Sequence, residues 1–320
     1  MIQHPRGTRA RVLLTSVFKP FAQDDEFGSR AINPAELYHN QVTREQGPFS
    51  LRMFHRSWGL MFLKQNVSAP CTVLDFPTRK RFIRELRTHD YDIVGISGIV
   101  VNVGKVREMC RLAREHSPGT TIVVGGHVTA IPGIERMLDA DHIVKGEGVA
   151  WLREFLGEEV ERPIAHPVIP SSFGFRIMGL PSTPGGGGNA AATIIPSVGC
   201  PMGCNFCTTS AFFGGKGKYV NFYDGGEELF RVMCEAEDRL GTRSFFMMDE
   251  NFLLHKRRAL ELLARMQAHG KPWSMYVFSS ANAVRQYDIR QLVELGVEWV
   301  WLGLESSQND YVKLADTDTL

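Results

Sequence analysis

No run of about 18 consecutive apolar residues occurs anywhere in this sequence, and a bilayer-spanning helix needs at least that many. The opening residues, Met1-Ile-Gln-His-Pro-Arg-Gly-Thr-Arg-Ala10, also lack the apolar stretch of a secretory leader, so the chain is read as cytoplasmic. Its one compact apolar patch, Trp58-Gly-Leu-Met-Phe-Leu63, is assigned to core packing rather than to membrane contact. Charge of one sign is missing too: 36 Lys and Arg face 35 Asp and Glu with no strong basic run, and nothing in that balance points to nucleic acid. The six cysteines (Cys71, Cys110, Cys200, Cys204, Cys207 and Cys234) lack the spacing of a disulfide framework, and no second C-x2-C knuckle exists to close a zinc site. What remains is an ordinary globular composition, 43% hydrophobic and 22% charged over 320 residues, enough for two sizeable cores.

Two α/β halves are expected. In the first, Arg11–Ser16, Cys71–Phe76, Asp92–Ser97, Thr121–Gly125 and His142–Lys145 read as short Val/Ile/Leu-rich strands alternating with helical patterns. Strands of that kind imply a parallel sheet covered on both faces, a doubly wound domain over residues 1–156. In the helix starting at Val103, the residues Val106, Met109, Cys110, Leu112 and Ala113 fall near one face. Pro and Gly enrichment from Pro163 to Gly188 marks residues 157–190 as a linker. The second half, 191–320, repeats the βα pattern. Strands are expected at Thr193–Val198, Ser244–Met248, Trp273–Ser279 and Glu298–Leu304, with helices at Gly226–Leu240, Lys256–His269 and Asp288–Leu295. Polar residues at the strand ends are the grammar of a β/α barrel, whose sites lie at the carboxyl face.

The most informative motif is the run from Gly199 to Cys207, in which Cys200, Cys204 and Cys207 are spaced C-x3-C-x2-C. Soft thiolates select iron–sulfur clusters or zinc over hard cations. Three closely spaced cysteines cannot all pair as disulfides, and a structural zinc would need a fourth ligand; Cys234 is separated from the triplet by an expected helix. Cys71, Cys110 and Cys234 are read as small hydrophobes. With the aromatic Phe206 just before the last cysteine, the motif resembles the signature of the radical S-adenosylmethionine (radical SAM) superfamily. The resemblance implies that Cys200, Cys204 and Cys207 hold a 4Fe–4S cluster. Its open iron would chelate S-adenosylmethionine, and an electron would cleave that molecule to a 5'-deoxyadenosyl radical.

Small residues recur at the expected strand ends of the first half: Ser97-Gly98, Gly125-Gly126-His127 and Gly146-Glu147-Gly148. Glycines there also make tight βα turns. Their succession ahead of the cysteine motif, with Val123–Pro132 and Val144–Gly148, resembles the cobalamin-binding domain that precedes many radical SAM barrels. By that resemblance, Ser97, Gly98, Gly125, Gly126, Gly146 and Glu147 would contact the nucleotide tail of a corrinoid. One departure stands out. Some cobalamin domains carry D-x-H-x-x-G after the first strand, but the chain here runs Phe18-Lys-Pro-Phe-Ala-Gln-Asp-Asp-Glu26, without a His. No lower axial ligand to cobalt comes from this loop, and His127 is read as a turn or phosphate-contacting residue.

In the second half the resemblance places Asp249, Glu250 and Asn251 where the family has a Gly-Gly-Glu segment that receives the methionyl amino group. Glu305 and Ser306 fall where it has polar residues near the ribose or methionine moiety. A helix cap or solvated turn is the plainer reading of each, and Ser279 and Ser280 are weaker candidates. Family barrels have six strands; four are recognisable here, so the chain is expected to be a fragment or a product cut short. The activity implied is a radical SAM enzyme, a cobalamin-dependent C-methyltransferase acting on an unactivated carbon of a small molecule. It would use a 4Fe–4S cluster, S-adenosylmethionine and cobalamin, with a flavodoxin or ferredoxin as electron donor. Radical ring formation or rearrangement, a corrinoid carrier without catalysis, and a zinc-stabilised module are the alternatives.

Overall fold

The computed structural model describes residues 3–18, 57–171, 191–204 and 206–303, and the backbone of 49–53, 173–177 and 180–182. The chain divides into two compact units, Met1–Pro167 with Gly174–Ser182, and Val168–Phe173 with Thr183–Leu320.

In chain order the first unit contains β1 (Val12–Ser16), β2 (Phe49–Met53), α1 (Trp58–Asn66), β3 (Cys71–Leu74), α2 (Arg79–Thr88), β4 (Ile93–Ser97), α3 (Val103–His116), β5 (Thr121–Gly125), β6 (His142–Ile143) and α4 (Gly148–Phe155). Its main sheet has the order β3-β1-β4-β5-β6 and is parallel throughout. Every residue of β1 is buried, as a central parallel strand requires. The two-residue period of the strands then sorts side chains into two cores. Leu13, Val94, Ile96, Ile122 and Val124 pack with Phe82, Val106 and Met109 of α2 and α3. Val12, Leu14, Ile93 and Val123 pack with Leu60, Leu152 and Phe155 of α1 and α4. Leu60 and Phe62 of the apolar patch are buried, as expected, and so is Cys110; Cys71 and Cys234 are half-buried. The sheet's order reverses between β1 and β4, and the crevice beyond the carboxyl ends of such a pair is where open α/β sheets take ligands.

Residues expected to be a loose linker are more structured than composition suggested. Arg153, buried within α4, donates to the carbonyl oxygens of Asn66 (2.8 Å), Val160 (3.1 Å) and Arg162 (2.5 Å). Asn66 accepts from the Ala165 amide at 2.8 Å, and the His166 ring meets Phe62 edge-on at 5.0 Å. A guanidinium satisfied by carbonyl oxygens thus ties the start of this segment to the first unit. Further on, β7 (Ile169–Ser171) is a strand, while β8 (Phe173–Ile177) and β9 (Leu180–Ser182) form a three-stranded sheet with β2. Pro170 falls on an edge strand, where a missing N–H is tolerated.

The second unit continues with β10 (Ala191–Ile194), β11 (Ser197–Gly199), α5 (Thr208–Phe213), β12 (Tyr219–Asn221), α6 (Gly226–Leu240), β13 (Ser244–Met247), α7 (Lys256–Ala268), β14 (Ser274–Ser279), α8 (Ala281–Val284), α9 (Ile289–Glu294) and β15 (Val297–Leu302). Its sheet runs β15-β14-β13-β10-β7, with β10, β13, β14 and β15 parallel and β7 antiparallel at one edge. Sequential parallel winding of this kind is that of a β/α barrel, here seen over four strands. The strand expected over Thr193–Val198 is two. Pro196 cannot donate to the ladder, so β11 leaves the sheet and pairs antiparallel with β12. One face of the sheet packs Ile194, Phe245, Met247, Met275 and Val277 against Leu229, Met233, Leu262 and Met266 of α6 and α7. The other carries Phe246, Tyr276, Phe278, Trp299 and Trp301, with rings of neighbouring strands 5.7 to 6.3 Å apart. Among the described residues β15 is the other edge of the sheet. No described helix is long and apolar enough to cross a membrane.

Crowding by its surroundings pushes His166 from 6.5 down to about 4. Between those values the unfolded chain binds a proton that the folded chain excludes, so this residue's contribution to stability is lost as pH falls from about 6.5 towards about 4. His166→Phe is expected to show a shallower fall of Tm across that interval than the unsubstituted protein. Equal slopes by calorimetry would remove His166 from the pH dependence.

Candidate functional site

The cysteine loop begins where β11 ends. Gly199 pairs with Tyr219 of β12, so the hairpin holds the backbone just before Cys200. The Cys207 amide donates to the Cys204 carbonyl at 3.0 Å, and the Cys207 carbonyl accepts from Ala211 as α5 begins. Gly203 adopts φ +68°, and a Cβ there would lie 2.3 Å from Lys216 Cα, so no other residue fits. The Gly217 amide donates to Pro201 at 2.9 Å. Thus the segment Phe212–Gly217 braces the loop from outside. None of the three cysteines is in a disulfide; Cys204 is buried, and Cys200 and Cys207 are half-buried.

Among the described residues, no three His, Cys, Asp or Glu side chains converge as one metal ion would require. The cysteines share a loop, but the structure does not draw them to a single point. A cubane is gripped at separate iron corners, one thiolate each, so a cluster does not need the convergence that mononuclear zinc does. Burial first, then the neighbouring Cys204 and Glu250 charges, push the Cys200 thiol up; hydrogen bonds from the Met202 backbone and the Asn251 side chain oppose them. Three thiols gathered on one loop, which give up their protons when they take a metal, are soft donors of the kind that suits iron in a sulfide cluster. Phe206 is 46% exposed beside it.

Beyond β13 the three polar residues divide by alternation. Asp249 is buried: its Oδ2 accepts from Ser197 Oγ (2.7 Å) and Arg258 Nη2 (2.5 Å), and its Oδ1 from the Asn251 amide (3.0 Å). Asn251 is buried as well, accepting from Ser279 Oγ and the Ser280 amide, both at 3.1 Å, and donating to Ser280 Oγ at 3.2 Å. Ser280 in turn caps α8 through the Ala283 amide. These side chains are committed to the protein, so what Asp249 and Asn251 have left to offer a cofactor is their backbone. Glu250 differs. It retains solvent-accessible surface, yet surrounding protein desolvates it and pushes its carboxyl up to about 7, against hydrogen bonds from its own amide and that of Gly199. Of the trio it is the one carboxylate that can meet a ligand. Glu305 and Ser306 lie outside the described residues.

In the first unit, Ser97-Gly98 and Gly125-Gly126 stand together at the ends of neighbouring strands. The Gly98 amide donates to Gly125 O at 3.2 Å, and Val128 to Gly98 O at 3.0 Å. Gly126 has φ +82°, and a Cβ there would come within 2.6 Å of Gly98 O, so close packing explains that glycine. Gly125 is different: its φ is ordinary and nothing lies within 4 Å of where its Cβ would stand. Nothing lies within 4 Å of a Cβ on Gly146 either, although its φ of +85° already favours glycine. Open space at a residue whose backbone does not demand glycine is what a ligand-contacting loop needs. Glu147 caps α4, accepting from the amides of Val149 at 2.6 Å and Ala150 at 2.5 Å, so its carboxylate is held in the cap. Burial shifts the His127 imidazole down. Residues 19–26, the loop without the axial His, lie outside the described residues.

Ser197, Asn221 and Arg258 were not expected in the site. Lys256-Arg-Arg258 reads as a solvated helix start, yet position 258 shares a helical stripe with the buried Leu262 and Met266, which was the available signal. The crevice group at β1 and β3 was also unforeseen: Asp75 accepts from Ser16 Oγ (2.8 Å) and Ser57 Oγ (2.6 Å), beside Phe76 at φ +40°.

Comparison with known proteins agrees with both halves. Residues 57–156 match the family described as B12 binding domain, and residues 194–319 match the radical SAM superfamily. An uncharacterized methyltransferase of Pyrococcus horikoshii is 24% identical over 257 residues, covering 69% of this chain and 53% of that protein. The bacteriochlorophyllide d C-8(2)-methyltransferase of Chlorobaculum tepidum is 27% identical over 236 residues, 68% of this chain and 50% of that one. The hopanoid C-3 methylase of Methylococcus capsulatus is 23% identical over 306 residues, 86% and 56%. The chain spans about half the length of such curated relatives. Among solved structures, the cobalamin-dependent S-adenosylmethionine radical enzyme OxsB superposes with a TM-score of 0.56 at 14% identity, over 93% of this chain and 44% of that one, a likeness of fold. The chain thus carries a B12 binding domain, residues 57–156, leading into a radical SAM domain, residues 194–319.

Proposed function

We propose that this chain supplies the cofactor-binding core of a cobalamin-dependent radical SAM methyltransferase acting on an unactivated carbon of a small molecule. The observation that carries the reading is the loop of Cys200, Cys204 and Cys207, none of them in a disulfide, set beside the one accessible carboxylate of the β13 end, Glu250. When bound, a 4Fe–4S cluster and cobalamin would supply, respectively, the electron that cleaves S-adenosylmethionine and the methyl group for transfer. The protein's own part is to bind and orient. Cys200, Cys204 and Cys207 would hold the cluster, and Glu250 is placed to accept hydrogen bonds from the amino group of S-adenosylmethionine. Ser97, Gly98, Gly125, Gly126 and Gly146 form the loops that would take the corrinoid's tail. The reading also includes a one-electron donor of the flavodoxin or ferredoxin class and a cytoplasmic setting. The names of the relatives, a bacteriochlorophyllide d C-8(2)-methyltransferase and a hopanoid C-3 methylase among them, favour C-methylation over ring formation.

After anaerobic reconstitution, the wild type is expected to bind iron and sulfide and to release 5'-deoxyadenosine, while Cys204→Ala loses both. Equal yields from the two proteins would sink the assignment. Because Glu250 titrates at about 7, a cationic ligand is bound better once its carboxyl is ionised. Affinity for S-adenosylmethionine, by calorimetry on reconstituted protein, is therefore expected to rise as pH increases through about 7, and Glu250→Gln to flatten that rise. A pH profile unchanged in the variant would free Glu250 of the role. Filling the open space at Gly125 with Gly125→Leu is expected to weaken hydroxocobalamin binding by about tenfold or more, about 1.4 kcal/mol, with Tm nearly unchanged. Undiminished binding would place the corrinoid elsewhere.

A further inference from the structure

Arg258 of the second unit is a guanidinium only 2% exposed, and among the described residues its Nε has no hydrogen-bond partner. Its two outer nitrogens are not idle. Nη2 meets Asp249 Oδ2 at 2.5 Å, and Nη1 meets Asn221 Oδ1 at 2.9 Å and Tyr223 O at 3.4 Å, while the Phe252 ring lies 5.6 Å from its carbon. Asn221 pairs with Ser197 in the β11–β12 hairpin, and Ser197 donates to the same Asp249 oxygen. One planar fork on α7 therefore grips both strands of the hairpin from which the cysteine loop springs, one through Asn221 and the other through Asp249. Asn251, whose amide donates to Asp249, extends the same chain of bonds to the Cys200 side chain.

A buried ion pair adds little net stability over an apolar replacement, and leaving Nε unpaired carries a further cost. Its retention at this place is explained by geometry instead. We propose that Arg258 is a positioning residue for the cysteine loop: acting through Asp249 and Asn221, it fixes the hairpin against the carboxyl end of β13 so that the three thiols are held in one arrangement before iron arrives. Lysine has one donor head and cannot span both partners, so charge alone does not replace the fork.

The test begins with the metal-free chain, and so is independent of the cluster assignment on which the purpose of this clamp rests. Hydrogen–deuterium exchange is followed in residues 197–207 and, as an internal reference, in the core helix 229–236, for the wild type, Arg258→Lys and Asn221→Ala. Exchange in 197–207 is expected to quicken by about tenfold in Arg258→Lys, and less in Asn221→Ala, with the reference helix unchanged. After reconstitution, a ferrous chelator is expected to remove iron several-fold faster from both variants than from the wild type. Exchange that quickens equally in the reference helix, or changes nowhere, overturns the proposal, because Arg258 is then a general support of the core or no support of the loop. If Arg258→Lys does not fold, Asn221→Ala decides by the same two outcomes. A wild type that takes up no iron refutes the cluster reading and leaves the exchange result to stand by itself.

Discussion

A strand packed in a sheet leaves its backbone free for a ligand mainly at its ends, and the groups of chemical interest in this chain collect there. β1, β4 and β5 bury their side chains on two sides, so the first backbone free to approach a ligand is that of Ser97-Gly98 and Gly125-Gly126. In the second unit the helices occupy one face of β10, β13 and β14, and the chemistry again collects where the strands stop: the cysteine loop, Glu250, and the Ser279–Ser280 turn. The two units solve the same burial problem with different winding. One reverses strand order and opens a crevice beside β1; the other winds sequentially, the habit of a barrel.

What the strand ends hold differs in rigidity. The crevice loops of the first unit are shaped by backbone contacts between glycines, which cost no side-chain ordering and leave space at Gly125. The cysteine loop is shaped by a left-handed Gly203 against Lys216 on one side and by the polar chain from Asn251 to Arg258 on the other. Thiols that must meet separate corners of one inorganic body need such outside bracing, because nothing among themselves draws them together.

Much of this was legible before any coordinates. The strand Thr121–Gly125 and the helix Gly226–Leu240 have the bounds that apolar period and glycine punctuation imply. Local rules also marked the cysteine spacing and the small residues at strand ends. They are silent where a tertiary partner decides. Asp249 and Asn251 look like ligands because polar residues end a strand, but their side chains are taken by partners on β11, α7 and β14, respectively 52, 9 and 28 residues away. Glu147 followed a helix-cap rule that applied from the start, and its carboxylate is taken by two amides. Pro170 and Pro196 mark an edge and an exit rather than a linker and a continuous strand, since proline limits hydrogen bonding without saying which neighbour is absent. Arg153 shows the same limit, a cation whose partners are carbonyl oxygens that no composition records.

The alternation of Asp249, Glu250 and Asn251 has a sharp corollary for sequence drift. Deleting one residue ahead of Asp249 would rotate the whole tripeptide by half a pleat, turning a glutamate toward Arg258 and presenting an aspartate or an asparagine to the solvent side. Such an indel keeps composition, charge and hydropathy almost intact while exchanging the buttress for the binding group. The spacing between Ser244 and Asn251 is therefore a counting problem with a single answer.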